Sequence, residues 1–264
     1  MPAKDGLNEE RFIRNVRRSL GFSPDKRRSP QGLFPAEGSC ESAEIVKRVE
    51  ARTLESHMEL LGLLMESAKS IQLQVIPVED IVSASAAIAQ LVEEKQPEWG
   101  TQKSITAWRH PLIDGLHLPD LLVEQNVPVY ISDLAGRADV DEANEDRRKE
   151  IRSQVIDSYI GVTSADFCIA ETATLVMKTR PGQARSVSLV PSIHVAVIEL
   201  EQILMNLKEL YAVLQCDPKQ REEGLTNCMT FISGPSKTAD IELVMVHGAH
   251  GPRELYLYVI TGVT

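Results

Sequence analysis

The amino-acid sequence predicts an α/β fold, mainly a parallel sheet flanked by helices, with an N-terminal helical extension. Short β-rich runs alternate with amphipathic helical stretches from residue 73 onward, the pattern of a parallel sheet covered on its faces. The 264 residues are 43% hydrophobic and 25% charged, a globular composition with apolar material for a sizeable core.

The elements follow in order. An N-terminal basic arm, residues 1–40, starts as a short helix with Phe12, Val16 and Leu20 at fourfold spacing. It then dissolves at Ser23-Pro24 and Ser29-Pro30-Gln31-Gly32 and is expected to be partly flexible. The main domain, 41–264, opens with one long helix over 41–69, where Leu54, Met58, Leu61, Met65 and Ala68 share a face. A strand at 73–78 leads to a helix over 79–94, marked by Ile81, Ala84, Ile88 and Leu91. A strand at 104–108, a helix over 118–125 and a strand at 127–132 continue the alternation. Residues 139–159 are charged and helical, 169–178 and 194–199 read as strands, and 200–214 reads as a helix. After a loop at 215–224 come a strand at 229–233, the turn Gly234-Pro235-Ser236, a helical turn from about Thr238 and a last strand at 255–260.

The formal net charge is −10, which argues against a general nucleic-acid binder. Arg11 to Arg28 hold seven basic residues and one acidic one, net +6, so the rest of the chain carries −16. That arm is either a solvated extension or a dock for an acidic partner or the protomer's own acidic body. The charged first twenty residues leave no room for an export signal, and no apolar stretch reaches the ~18 residues of a membrane span. The four cysteines, at 40, 168, 216 and 228, form no C-x-x-C pair. They read as reduced cytosolic thiols, with no metal site and no iron–sulfur cluster in this chain. The expected location is the cytoplasm.

Three runs carry candidate chemistry. In Gly161-Val162-Thr163-Ser164-Ala165-Asp166-Phe167-Cys168-Ile169-Ala170-Glu171-Thr172-Ala173-Thr174-Leu175, small and polar residues surround Glu171. Ile169, Leu175 and Val176 supply an apolar setting that would make this carboxylate a usable base, acid or nucleophile. Equally, Glu171 could satisfy buried backbone amides or an Arg. Thr163, Asp166, Thr172 and Thr174 are candidate ligand contacts, although turn-forming Asx and Thr side chains occur without a ligand. In the second run, Arg185, Ser188 and His194 flank Pro191 at an expected strand edge, where ligands bind in open α/β sheets. Arg185 suits a bidentate clamp on a carboxylate or phosphate, or an ordinary ion pair. His194 suits a ligand contact or a satisfied strand-end histidine. In the third run, Ser233 to Glu242, a Gly-Pro-Ser turn opening a helix would offer free amides to an anion through Gly234, Ser236, Thr238 and Asp240. Ser236 or Thr238 could also be a simple N-cap. His250 follows in a Gly-rich turn, and the spacing is not that of a Walker loop.

Together these runs resemble the LUD (lactate-utilisation) domain family. Gly161 to Leu175 match its Gly-[Ile/Val]-Thr-x-Ala-Asp-x-x-Ile-Ala-Glu-Thr-Gly-Thr-Leu motif, with Ala173 where glycine is usual. Arg185, Ser188, Leu189, Pro191, His194, Ala196 and Val197 meet its second motif. Ser233 to Glu242 and Gly248 to Pro252 meet its third. The likeness is dense from 152 to 260 and architectural from 41 to about 148.

The resemblance implies a fold similar to the ribose-phosphate isomerase, glucosamine-phosphate deaminase and CoA-transferase group, with Glu171 as the first catalytic candidate and the Gly-Pro-Ser turn as an anion pocket. It also implies work alongside cluster-bearing proteins that oxidise L-lactate to pyruvate. This chain would be an accessory or substrate-handling subunit without a cluster of its own. The alternative is a stand-alone enzyme acting on a small carboxylate, phosphosugar or acyl thioester through Glu171. The sequence names no cofactor and predicts none bound covalently. A small anionic ligand and cluster-bearing lactate-oxidation proteins are the expected partners, and a homo-oligomer is left open.

Overall fold

Runs whose side chains are buried on both sides become the central strands, and amphipathic runs become the helices that cover them. A computed structural model of the chain describes residues 4–19, 40–98, 100–133, 142–223, 228–239, 245–247 and 251–262. The chain divides into two units, Met1–Ser39 and Cys40–Thr264. In the first, α1 (Lys4–Ser19) has Phe12, Ile13 and Val16 exposed and Arg17 and Arg18 in its last turn, where positive charge meets the negative end of the helix dipole.

In the second unit the helices are α2 (Cys40–Glu50), α3 (Leu54–Ile71), α4 (Ile81–Glu94), α5 (Pro111–Asp114), α6 (Leu118–Leu121), α7 (Glu142–Asp157), α8 (Ser186–Leu189), α9 (Leu207–Cys216) and α10 (Pro218–Glu223). The strands are β1 (Leu73–Val78), β2 (Ile105–Ala107), β3 (Val129–Ile131), β4 (Ile160–Ser164), β5 (Phe167–Ile169), β6 (Thr174–Lys178), β7 (Ile193–Glu199), β8 (Ile203–Leu204), β9 (Met229–Ile232), β10 (Lys237–Ala239), β11 (Met245–His247) and β12 (Glu254–Ile260). Six of them form a wholly parallel sheet in the order β1-β12-β7-β4-β2-β3. The α/β class and the helix-flanked parallel sheet expected from the sequence are both present.

A second sheet, β8-β5-β6-β9, is largely antiparallel, and β10 and β11 form a separate antiparallel pair. One face of the parallel sheet presents Val162, Val195, Val197, Tyr256 and Tyr258 to the Ile88 side of α4 and to Leu116, Leu118 and Leu122. The other presents Ala196, Ile198, Leu255, Leu257 and Val259 to Leu60, Leu61, Leu64 and Ala68 of α3 and to Leu175 and Met177 of the smaller sheet. A third cluster, with Ile45, Val46, Leu210 and Val213, seals the far side of the smaller sheet over Ile169, Val176 and Leu204.

Five local expectations are corrected. The single helix over 41–69 breaks because Thr53 turns extended and its hydroxyl accepts the Ser56 amide at 3.3 Å, capping α3. Beside it, the Arg52 guanidinium reaches Glu209 at 2.5 Å. The strand expected over 169–178 is a hairpin, β5 and β6, folded at Ala173 in the left-handed region at φ +47°. The helix over 200–214 starts only at its Asn206 cap, since Ile203 and Leu204 pair with Cys168 and Ile169. The helical turn near Thr238 is β10, and part of the loop over 215–224 is α10.

Candidate functional site

Strand connectivity fixes where a crevice opens. From β2 the chain steps outward to β3, whereas from β4 it steps the other way to β7 and then to β12. The neighbours β2 and β4 therefore mark the topological switch point, where loops diverge at the carboxyl ends and ligands bind in open α/β sheets. A cavity of about 270 Å³ sits there. Trp108 and His110 reach it from the end of β2, Ser164 and Asp166 from the end of β4, Gln202 from beyond β7, and Arg180 and Gln183 from beyond β6.

Asp166 is the pivot. It accepts the Lys178 amide at 2.6 Å on Oδ2, and Arg180 Nη2 lies 2.5 Å from Oδ1. Arg180 also binds Glu223 of α10. Lys178, buried at 2% exposure, meets the same Glu223 at 2.9 Å and Gln220 as well. The hydrogen bond from Arg180, helped by Lys178 and opposed by partial burial, holds the Glu223 carboxyl down at about 2. His110 Nδ1 accepts the Leu112 amide at 3.2 Å, which in a neutral ring leaves the proton on Nε2. Burial lowers the His110 pKa, with Asp166 opposing and Arg180 assisting. The Trp108 indole is fixed by donating to the Ala184 carbonyl at 2.9 Å, and Gln202 by accepting the Glu199 amide at 2.7 Å. The arrangement offers a fixed carboxylate, a neutral imidazole and an amide around a small polar space. Such a set can orient a small ligand and pass a proton to or from it.

The sequence-predicted residues fall into separate places. Asp166 lines the cavity. Glu171 lies at the other end of the β5–β6 hairpin, exposed in the turn, where Asn206 Nδ2 approaches its carboxylate at 3.4 Å. The apolar enclosure expected for it does not form. Ile169, Leu175 and Val176 are buried, and the left-handed turn at Ala173 leaves residues 171 and 172 at the surface. Thr172 and Thr174 bond each other at 2.8 Å, and Thr174 bonds Ser233 at 2.7 Å, which joins the first and third runs. Gly234 holds φ +85°, and a Cβ there would stand 2.6 Å from the Ile71 carbonyl oxygen, so glycine is required.

Thr163 and His194 are fully buried on the sheet face and bond each other at 2.8 Å. His194 sits near the amino end of β7, opposite Gly161, rather than at the expected edge, because its flanking valines and isoleucines carry it into the sheet. Among the described residues its Nδ1 finds no protein partner, and burial pushes its pKa down to about 3. Arg185 precedes α8 and donates to Cys228 Sγ at 3.7 Å, an ordinary local contact. Ser236 donates its amide to the Pro252 carbonyl at 2.7 Å, so that turn is closed by backbone pairing. Thr238 is in β10, which removes the expected helix amino terminus as an anion cradle. Asp240 and His250 lie outside the described residues.

His110, Trp108, Arg180 and Gln202 escaped the sequence reading. His-Pro directly after a short buried strand was the available signal for His110. Arg180 and Gln202 reach the cavity only through the hairpin and the turn after β7. Among the described residues no three His, Cys, Asp or Glu side chains gather as metal ligands, and no helix is long and apolar enough to cross a membrane.

A helix-flanked parallel sheet with a small polar cavity at its switch point defines an α/β protein whose cavity lies where ligands bind in open sheets of this class. More particularly, the chain belongs to the LUD domain family, whose model matches residues 61–260. It is similar to lactate utilization protein C of Halalkalibacterium halodurans, 29% identical over 95% of this chain and 96% of that protein. It is likewise similar to lactate utilization protein C of Shouchella clausii, 26% identical over 96% and 97%. A crystal structure of a DUF162 family protein from Deinococcus radiodurans matches with a TM-score of 0.51 at 21% identity, covering 78% of this chain and 98% of that one, a likeness in fold.

Proposed function

We propose that this protein acts in lactate utilisation as a substrate-handling subunit for cluster-bearing lactate-oxidation proteins, holding a small hydroxy- or oxo-carboxylate at the switch-point cavity. The observation that carries the reading is the position and lining of that cavity, and the near full-length likeness to proteins named lactate utilization protein C supports the pathway. Arg180 and Gln183 would meet the ligand's carboxylate, the His110 Nε2 proton would be donated to its hydroxyl or oxo oxygen, and Asp166 would accept from the hydroxyl of a hydroxy acid. Electrons would pass to the partner proteins, since none of these side chains takes up a hydride. The setting for this work is the cytoplasm.

The stand-alone alternative would use Glu171 as base or nucleophile. The exposure of Glu171 and its distance along the hairpin from Asp166 favour the subunit reading. Affinity capture with the full chain from its native cytoplasm tests the choice. Recovery of iron–sulfur proteins with lactate-dependent dye reduction, weakened by His110→Ala, is expected. Capture without that activity, together with turnover by the purified chain that Glu171→Gln abolishes, would overturn it.

A further inference from the structure

Arg180 is the cation of the switch-point cavity, and its donors are almost all taken. Of the five N–H groups of a guanidinium, that on Nε goes to Glu223 Oε1, the two on Nη2 go to Glu223 Oε2 at 2.9 Å and Asp166 Oδ1 at 2.5 Å, and one on Nη1 goes to Gln183 Oε1 at 3.2 Å. One Nη1 hydrogen is left. A carboxylate held at two points needs either the Nε–Nη2 edge or the Nη1–Nη2 edge, and both edges use Nη2. A ligand carboxylate therefore gains a two-point grip only by taking the place of Asp166 or of Glu223.

The two carboxylates are not held alike. Asp166 is 10% exposed and also accepts the Lys178 amide at 2.6 Å, so moving it would open the β5–β6 hairpin. Glu223 is 31% exposed, ends the six-residue helix α10, which buries no residue, and keeps a second partner in Lys178 Nζ at 2.9 Å. It can turn away from Arg180 without leaving Lys178 unpaired. Resting on the reading that the cavity holds a small carboxylate, we propose that Glu223 is an internal competitor. The ligand's carboxylate replaces it on the Nε–Nη2 edge of Arg180, and its charge confines the site to monocarboxylates. Arg180 and Lys178 against Asp166 and Glu223 sum to zero, so a monocarboxylate brings the cluster to −1 and a dicarboxylate to −2. Repulsion from the two resident carboxylates grows with each charge on the ligand.

Titration of the full chain with L-lactate, with pyruvate and with tartronate, a hydroxy acid carrying a second carboxylate, tests this through the indole NMR signal of Trp108 at the cavity wall. At pH 7 wild type is expected to bind at least one of the two monocarboxylates about tenfold or more tighter than tartronate. Glu223→Gln should tighten that monocarboxylate by about tenfold and tartronate by more, because it removes both the competitor and a charge. A merely structural role for the α10 contact would weaken binding instead. Circular dichroism checks the fold of the variant, and the wild-type preference decides independently of it. A Trp108 signal that moves with none of the three compounds in either chain would overturn the carboxylate reading and the exchange with it. Monocarboxylate binding that is equal or weaker in Glu223→Gln, or tartronate bound by wild type at least as tightly as the monocarboxylates, would overturn the exchange alone.

Discussion

Arg180 Nη2 lies 2.5 Å from Asp166 Oδ1, and this pair links the ends of β4 and β6 at the wall of the switch-point cavity. The same Asp166 accepts the Lys178 amide, so one carboxylate both closes the β5–β6 hairpin and shapes the cavity. Asp166→Asn should cost about 2 kcal/mol, less than a fully buried pair loses because Arg180 is partly solvated, and lower Tm by roughly 5 °C. Thermal unfolding of the variant beside wild type checks this, and an unchanged Tm would show the pair to be idle.

Glu223 anchors α10 to Lys178 and Arg180. Its carboxyl is held at about 2 in the fold against 4.5 in the unfolded chain. A depressed carboxylate gives stability that is present above pH 4.5 and lost as pH falls toward 2. Denaturation midpoints between pH 5 and pH 2 should therefore drop more steeply in wild type than in Glu223→Gln, with the difference confined to that window.

His194 behaves differently. Its folded pKa of about 3 lies below the unfolded 6.5, so the unfolded chain takes up a proton that the fold refuses. The resulting stability is complete above pH 6.5 and declines by about 1.4 kcal/mol per unit as pH falls toward 3. His194→Gln should remove the part of this slope between pH 6.5 and 4.5, before Glu223 begins to titrate. Chemical denaturation at pH 7, 6 and 5 measures it.

Two glycines should respond to alanine with opposite signs. A Cβ at Gly161 would stand 1.8 Å from the Val187 carbonyl oxygen, so Gly161→Ala must displace α8 from the sheet and should cost about 3 kcal/mol or more. At Gly62, inside α3 with open space around it, alanine should stabilise by about 0.5–1 kcal/mol. Tm values of the two variants decide both.

The parallel layers were legible because buried strands announce themselves. The strand at 194–199 lies within β7, whose first six residues are buried; the strand at 73–78 coincides with the edge strand β1, where only Leu73 is buried and the β-branched Val75, Ile76 and Val78 give the signal. Elements set by competition were not legible. Arg52 leaves the helical register for Glu209, a partner 157 residues away, and Ile203 and Leu204 have helical spacing but complete an edge of the smaller sheet. The candidate site divided in the same way. Asp166 stood out beside Glu171 in sequence, yet a hairpin turned by an alanine at positive φ sets them at opposite ends. For His110 the local pattern offers only His-Pro after a short buried strand; the strand order, which no local pattern carries, brings it to the cavity beside Asp166.

The proposed function requires that the switch-point cavity bind a small hydroxy- or oxo-carboxylate. Nitrogen-edited NMR of the tryptophan indole protons reads it directly, since the Trp108 indole is fixed against Ala184 at the cavity wall and Trp108→Phe identifies its signal. Titration with L-lactate and with pyruvate should shift the Trp108 signal saturably with at least one of them, and His110→Ala should weaken that response while lowering Tm by only a few degrees, for the lost cap on the Leu112 amide. A Trp108 signal that stays in place with both compounds, or that shifts identically in His110→Ala, would contradict the account.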